Sequence, residues 1–164
     1  MSTRRRSYEA GHHAKFLVVI DDTPECDRAV YFAARRAVRT GVKVLMLHVI
    51  KTQDTNQQWL GVAELMLAEA HDEANILFDK YATVATGITG IVPERVIREG
   101  ETAAEILKLI EEDEDIALLV LGAGGGAEGP GPLVTSLAKT AGNYPIPVAI
   151  VPGHLTDEDL DAMA

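Results

Sequence analysis

Strand-like and helix-like segments alternate along most of the chain. Five segments are short, rich in apolar or β-branched residues, and typical of strands covered on both faces. They span residues 15–20, 42–50, 91–100, 116–122 and 146–152. Between them, apolar residues recur at helical spacing over 24–39, 62–85, 102–113 and 133–142. This alternation predicts a parallel sheet with right-handed crossovers and helices on both faces.

The carboxyl ends of three predicted strands carry residues suited to a ligand site. In parallel sheets, ligands bind beyond these ends, at the point where the strand order reverses. The stretch DDT (21–23) follows the first strand, HV (48–49) closes the second, and GAGGG (122–126) follows the fourth. The loop that begins at Gly122 has six glycines within ten residues. Its position predicts a ligand site, although position alone does not define the chemistry.

The length of the chain suggests one main domain with two polar ends. Residues 15–153 are predicted to form this domain, because the alternating pattern fills them. Residues 1–14 are predicted to be a flexible arm, and residues 154–164 a solvated acidic tail. The polar, unpatterned stretch over 51–61 is predicted to be a loop.

Composition argues against several classes of function. A formal net charge of −10 is unfavourable for a nucleic-acid surface. No apolar run reaches the roughly 18 residues of a membrane span, and the N-terminal residues lack the apolar centre of a secretory signal. The single cysteine, Cys26, cannot form an internal disulfide and fits a cytoplasmic location. We interpret it as a half-buried helix residue.

Common catalytic and nucleotide motifs do not match the sequence. Asp21 and Asp22 form an acidic pair like that of receiver domains, but the third and fifth strands end without the required aspartate and lysine. The stretch 124–129 fits G-x-G-x-x-G, yet it follows the fourth strand and no suitable acid follows it. The sequence has no GxxxxGK[ST] loop, metal-ligand spacing or G-x-S-x-G elbow. His48 is interpreted as a packed strand-end residue.

A glycine turn followed by hydroxyls at a helix start can bind phosphate without a Walker lysine. Gly122 and Gly125 would let phosphates approach the backbone, since two glycines after a buried strand have little packing value there. Thr135 and Ser136 would donate hydroxyl or amide groups, and Asp21 would accept from ribose hydroxyls. Each polar residue has a structural alternative, because Asp21 can cap the first helix and the two hydroxyls can be ordinary helix-start residues.

Four blocks of the sequence together resemble the universal stress proteins. They are VVIDDTPECDRAV, LHVI, VIREGETAAEILKLIEEDEDIALLVLG and PVAIVP, within a resemblance that covers residues 15–152. The resemblance implies an open, Rossmann-like, five-stranded parallel sheet in the order 3-2-1-4-5. In the nucleotide-binding branch, the fourth strand is followed by G-x-x-G, nine residues and G-[ST]. Gly122 and Gly125 match the first glycines, Ser136 matches the hydroxyl, and Thr135 replaces the last glycine.

The same resemblance implies the ligand and its contacts. The ligand would be an adenine nucleotide, ATP, ADP or AMP, with or without Mg²⁺. Asp21 would contact the ribose or adenine, and Val49 would contact adenine through its backbone. Leu121 and Ala123 would line the pocket wall.

Three features depart from the family's loop. Glu128 lies in a stretch that often carries basic residues in the family, and a carboxylate near a triphosphate is unfavourable unless a divalent cation bridges them. Pro130 and Pro132 each lack a backbone N–H donor. Thr135 has a Cβ, so a backbone with positive φ at this position would force the loop to rearrange.

These observations support more than one hypothesis for function. The first is a cytoplasmic stress-response protein that acts as a nucleotide-dependent regulator, with at most weak ATP hydrolysis. The second is a family member that binds no nucleotide and acts as a dimeric protein-interaction module. The third, a related adenine-nucleotide hydrolase, has no evident catalytic group. The resemblance also implies a homodimer through residues 146–152, and an unpaired apolar edge strand would otherwise favour aggregation.

Overall fold

The computed structural model describes residues 4–51 and 60–164. Within these ranges the strands are β1 (Lys15–Val19), β2 (Lys43–Ile50), β3 (Glu94–Glu99), β4 (Ile116–Ala123) and β5 (Val148–Pro152). The α-helices are α1 (Cys26–Thr40), α2 (Leu60–Thr89), α3 (Thr102–Glu112), α4 (Pro132–Thr140) and α5 (Asp157–Met163). Most of the loop predicted over 51–61 lies outside the described residues.

The strands form one parallel sheet in the order β3-β2-β1-β4-β5. This confirms the predicted fold class and strand order. In the register of the sheet, Val19 of β1 lies beside Leu47 of β2, and Val18 of β1 lies beside Val120 of β4. The order reverses at β1, so the ends of β1, β2 and β4 lie together at one edge of the sheet. A ligand site is expected at such an edge.

Alternate residues of each central strand enter different apolar layers, one on each face of the sheet. Phe16 and Val18 pack with α1 and α2 in one layer, whereas Leu17 and Val19 pack with α3 and α4 in the other. This explains why the central strands are continuously apolar rather than alternating. No helix in the described parts of the chain is both long enough and apolar enough to cross a membrane.

A carboxylate caps the start of α3. The side chain of Glu101 accepts hydrogen bonds from the amides of Ala103 (3.2 Å) and Ala104 (2.8 Å). A carboxylate at this position satisfies two donors that have no partner inside the helix and complements the helix dipole.

The described N-terminal residues, 4–14, are attached to the domain, whereas their polar sequence suggested a flexible arm. The guanidinium of Arg5 donates to the carbonyls of Ile110 (2.6 Å), Asp113 (2.5 Å) and Ile116 (2.8 Å), and Ser7 is buried. The last carbonyls of a helix lack partners within it, and a cation there is favoured by the helix dipole. Arg5 therefore fixes the segment to the end of α3.

The acidic C-terminal residues are also ordered, because basic residues of α1 pair with them. Arg28 approaches Asp157 at 2.7 Å, and Arg35 approaches Asp161 at 2.8 Å. The hydroxyl of Tyr31 donates to Asp161 at 2.7 Å. The run of acids suggested a solvated end because the pairing arginines lie more than a hundred residues earlier in the sequence.

Helix α5 has its own cap and one buried anchor. Thr156 forms a capping box with Asp159, in which each side chain accepts from the other residue's amide. Leu160 is only 1% exposed and packs in the layer that contains α1, whereas Met163 is 54% exposed. Apolar burial and ion pairing therefore act together on this short helix.

We expect Leu160→Ala to lower the free energy of unfolding by about 2 kcal/mol, because it leaves a cavity against α1. Met163→Ala is the matched control on the exposed side of the same helix and should change stability by less than about 0.5 kcal/mol. Urea denaturation followed by circular dichroism measures both variants. Equal losses of stability in the two variants would contradict the packing of α5.

Candidate nucleotide-binding site

A cavity of about 510 Å³ opens at the edge of the sheet where β1, β2 and β4 end. The first turns of α1, α3 and α4 complete its wall. Five of the eight predicted site residues lie in this wall: Asp21, Val49, Leu121, Gly122 and Ser136. The other three are absent from it: Ala123, Gly125 and Thr135. The structure therefore places predicted residues from the ends of β1, β2 and β4 and from the start of α4 around one cavity.

Asp21 is held by the turn that leads from β1 into α1. One oxygen of its carboxylate accepts from the amide of Thr23 at 3.0 Å and also from the Thr23 hydroxyl. This is the local hydrogen bonding typical of an aspartate in a turn. Helix α1 starts later, at Cys26, and its N-cap Glu25 makes no side-chain capping bond. Asp21 thus fixes the turn at the cavity wall instead of capping the helix.

His48 and Val49 close β2 beside the cavity. Nδ1 of His48 lies 2.7 Å from the carbonyl oxygen of Ile20. Because a carbonyl only accepts, Nδ1 carries the proton of this hydrogen bond. The imidazole also meets Phe78 edge-on, with ring centroids 6.4 Å apart. His48 is thus packed and hydrogen-bonded at the strand end, and it also borders the cavity.

Gly122 has a packing role that the sequence pattern did not indicate. A Cβ at this position would lie 2.3 Å from the backbone oxygen of Glu25, in the turn before α1. Real Cβ atoms do not approach backbone atoms so closely, and neither backbone can move without disturbing the core. By contrast, a Cβ on Gly125 would meet no atom within 4 Å. The inference that both glycines lack packing value was therefore wrong for Gly122.

The loop between β4 and α4 is folded on itself. The amide of Gly124 donates to the carbonyl oxygen of Pro130 at 3.2 Å, and the amide of Gly129 donates to the carbonyl oxygen of Gly126 at 3.1 Å. Gly129 has a φ of 84°, a left-handed conformation that favours glycine. The glycines of this loop therefore allow it to form a compact turn, in addition to leaving its backbone accessible.

The hydroxyls of α4 occupy different environments. Thr135 donates its hydroxyl to the carbonyl of Gly131 at 2.9 Å, one turn earlier, so this group bonds within the helix. Ser136 borders the cavity. Gly131 precedes α4 with a φ of 106°, and no side chain caps this helix start. The first amides of α4 are therefore without a side-chain acceptor on the cavity side.

Several cavity residues were not among the predicted ligand contacts: Asp22, Glu25, Cys26, Lys51, Glu101 and Thr102. Glu101 and Thr102 directly follow the third predicted strand, so the rule that located the other strand ends also applies to them. Glu25 comes into the wall only because α1 begins against β4. No sequence pattern reveals that contact.

Cys26 borders the cavity and is 2% exposed. Burial raises the pKa of its thiol to about 12, because the charged thiolate loses its hydration. The thiol is therefore protonated at neutral pH and is not the activated nucleophile of a cysteine enzyme. In the described ranges, no group of three or more His, Cys, Asp or Glu side chains is arranged to hold a metal ion.

The model of the universal stress protein family matches residues 13–152, which is most of the chain. The chain belongs to the universal stress protein family. The match ends before α5 and begins after the segment held by Arg5. Both ends therefore add structure outside the matched region, and the domain boundaries at residues 15 and 153 stay a prediction.

Solved universal stress proteins share this fold at low sequence identity. UspA from Lactobacillus plantarum is 20% identical, with a TM-score of 0.71, covering 85% of this chain and 97% of that one. The universal stress protein from Archaeoglobus fulgidus in complex with dAMP is 16% identical, with a TM-score of 0.57. The match covers 85% of this chain and 98% of that one. One from Arabidopsis thaliana with AMP bound is 20% identical, with a TM-score of 0.60, covering 88% and 94%. No curated protein matches the chain significantly.

We expect Gly122→Ala to destabilise the protein by about 3 kcal/mol, because the added methyl group overlaps the backbone of Glu25. Gly125→Ala is the matched control in the same loop and should change stability by less than about 0.5 kcal/mol. Thermal and urea unfolding without ligand measure this effect independently of binding. A stable Gly122→Ala protein would show that α1 and β4 do not approach as closely as described.

Proposed function

We propose that this universal stress protein is a cytoplasmic stress-response protein that binds an adenine nucleotide and acts as a nucleotide-dependent regulator. The observation that carries the proposal is the cavity at the strand-order reversal, whose wall contains Asp21, Val49, Leu121, Gly122 and Ser136. Structures similar in fold hold AMP, dAMP or cAMP. The buried, protonated Cys26 fits a reducing compartment.

In the proposed complex, each part of the nucleotide meets a different part of the cavity wall. The backbone of Val49 contacts adenine, and Leu121 forms the apolar wall beside it. The carboxylate of Asp21, already oriented by Thr23, accepts from ribose hydroxyls. The phosphate lies toward Ser136 and the first amides of α4, where the helix dipole favours an anion.

Ala123, Gly125 and Thr135 also belong to the proposed site, although they lie outside the cavity wall. They are part of the same β4–α4 loop, and this loop has to rearrange for them to touch the ligand. Gly125 can accept such a change because nothing crowds it. Thr135 would first have to release its bond to Gly131.

The proposed role is binding, with at most weak ATP hydrolysis. Catalysis needs a general base or nucleophile within hydrogen-bond reach of the reacting atoms. The cavity's histidine, His48, carries its Nδ1 proton in a bond to a backbone carbonyl, and the thiol of Cys26 is protonated. The thiol is therefore not an activated nucleophile, and Nε2 is the one nitrogen of His48 that could accept a proton. ATP would bring Mg²⁺ with it, whereas AMP would not need the ion.

We further propose that the protein forms a homodimer through β5. This strand is at the edge of the sheet, and its Ile150 is 46% exposed. An apolar edge strand is a natural site for pairing with another strand. The same observation supports the alternative function, a dimeric interaction module without nucleotide.

We expect AMP to bind the wild-type protein and Asp21→Asn to weaken that binding about tenfold, because a neutral acceptor replaces a charged one. Asp72→Asn on the exposed part of α2 removes the same charge and should leave the affinity unchanged. Isothermal titration calorimetry measures the three proteins. Absence of binding by AMP, ADP and ATP, with and without Mg²⁺, would refute the nucleotide proposal and favour the interaction module.

We expect Ile150→Asp to shift the protein from dimer to monomer, because a charge would be buried between the paired edge strands. Ile76→Asp is the control, since Ile76 is 69% exposed on α2. Sedimentation velocity over a range of concentrations measures the mass of each variant. A monomeric wild-type protein, or a dimer that survives Ile150→Asp, would exclude β5 as the interface.

A further inference from the structure

We propose that the cavity selects by phosphate count: it takes an adenine nucleoside monophosphate and discriminates against a metal-free triphosphate. This inference rests on the proposed function, because it concerns the same site. Its basis is the negative charge of the cavity wall and the position of hydrogen-bond donors at the start of α4.

The wall of the cavity carries an excess of negative charge. Four carboxylates contribute to it, against one ammonium group: Asp21, Asp22, Glu25 and Glu101 against Lys51. Within the described parts of the chain, none of the four carboxylates lies within 4.0 Å of a lysine or arginine nitrogen. Their charge is therefore available to act on a ligand in the cavity.

Two of these carboxylates, Glu25 and Glu101, lie in the cavity wall at the starts of α1 and α3. Glu25 lies beside the β4–α4 loop: one of its carboxylate oxygens is 3.5 Å from the position of a Cβ on Gly124. Glu101 is at the start of α3 and already accepts from the first amides of that helix. This helix start, which could otherwise attract an anion, instead presents a carboxylate.

Several positions of the β4–α4 loop offer no donor to a phosphate chain. Pro130 and Pro132 have no amide hydrogen. The amides of Gly124 and Gly129 donate to carbonyls inside the loop, and the hydroxyl of Thr135 donates within α4. At the cavity wall, the uncapped amides at the start of α4 and the hydroxyl of Ser136 form one group of donors that can receive a phosphate.

The extra phosphates of a triphosphate would therefore add negative charge beside the carboxylates of the wall. A triphosphate carries roughly two more negative charges than a monophosphate. At roughly 7 Å and an intermediate dielectric constant, each added charge reduces affinity on the order of fivefold per carboxylate. A bridging Mg²⁺ would offset this repulsion, since it supplies positive charge between the two sets of oxygens.

The test compares adenosine, AMP, ATP in EDTA and ATP with Mg²⁺ by calorimetry on the full chain at constant ionic strength. We expect AMP to bind at least tenfold more tightly than ATP in EDTA. Mg²⁺ should increase the affinity for ATP and so reduce this difference between the two nucleotides. Equal or tighter binding of metal-free ATP would overturn the inference while leaving nucleotide binding intact. If none of the four ligands binds, the proposed function itself fails.

A charge-neutral variant tests the cause of the discrimination. Glu25→Gln keeps the shape of the side chain and should lower the ratio of the ATP and AMP dissociation constants about threefold or more. Glu64→Gln is the matched control, because Glu64 is exposed on α2, away from the cavity. An unchanged ratio in both Glu25→Gln and Glu101→Gln would overturn the assigned role of the carboxylates. Circular dichroism of each variant verifies that the fold is retained.

Discussion

The close approach of α1 to the end of β4 sets the geometry of the whole site. It is possible only because Gly122 has no Cβ, which would lie 2.3 Å from the backbone of Glu25. The contact places the start of α1 against the β4–α4 loop and thereby brings Asp21, Glu25 and Cys26 to one cavity. A glycine at this position is therefore required by packing whether or not a ligand binds, so its presence does not by itself indicate a nucleotide site.

The fold could be predicted from the sequence because its signals are local. Continuous apolar strands separated by amphipathic helices specify a covered parallel sheet, and the resemblance to the family added the strand order, which the structure confirms. Asp21, Val49 and Leu121 lie beside one cavity at the edge of the sheet. The rule that ligands bind beyond the carboxyl ends of parallel strands indicated the stretches that contain Asp21 and Val49, whereas Leu121 came from the family resemblance.

The features that the sequence pattern missed depend on contacts between distant parts of the chain. Glu25 reaches Gly122 across about a hundred residues, and Arg28 reaches Asp157 across a still longer separation. Polar composition alone suggested disorder at both ends of the chain, whereas Arg5 and Arg28 each find partners that only the folded chain supplies. Local patterns give the elements, but they do not give the partners of individual charged side chains.

The attachment of α5 makes this helix the element most responsive to its ionic surroundings. It contributes one buried leucine, and its other contacts with α1 are mainly ion pairs and hydrogen bonds to partly exposed acids. Salt screens such pairs much more than it affects apolar packing. Short elements with few buried contacts open first in native-state fluctuations. Rising ionic strength should therefore speed hydrogen exchange in α5 well before it affects the amides of the central strands.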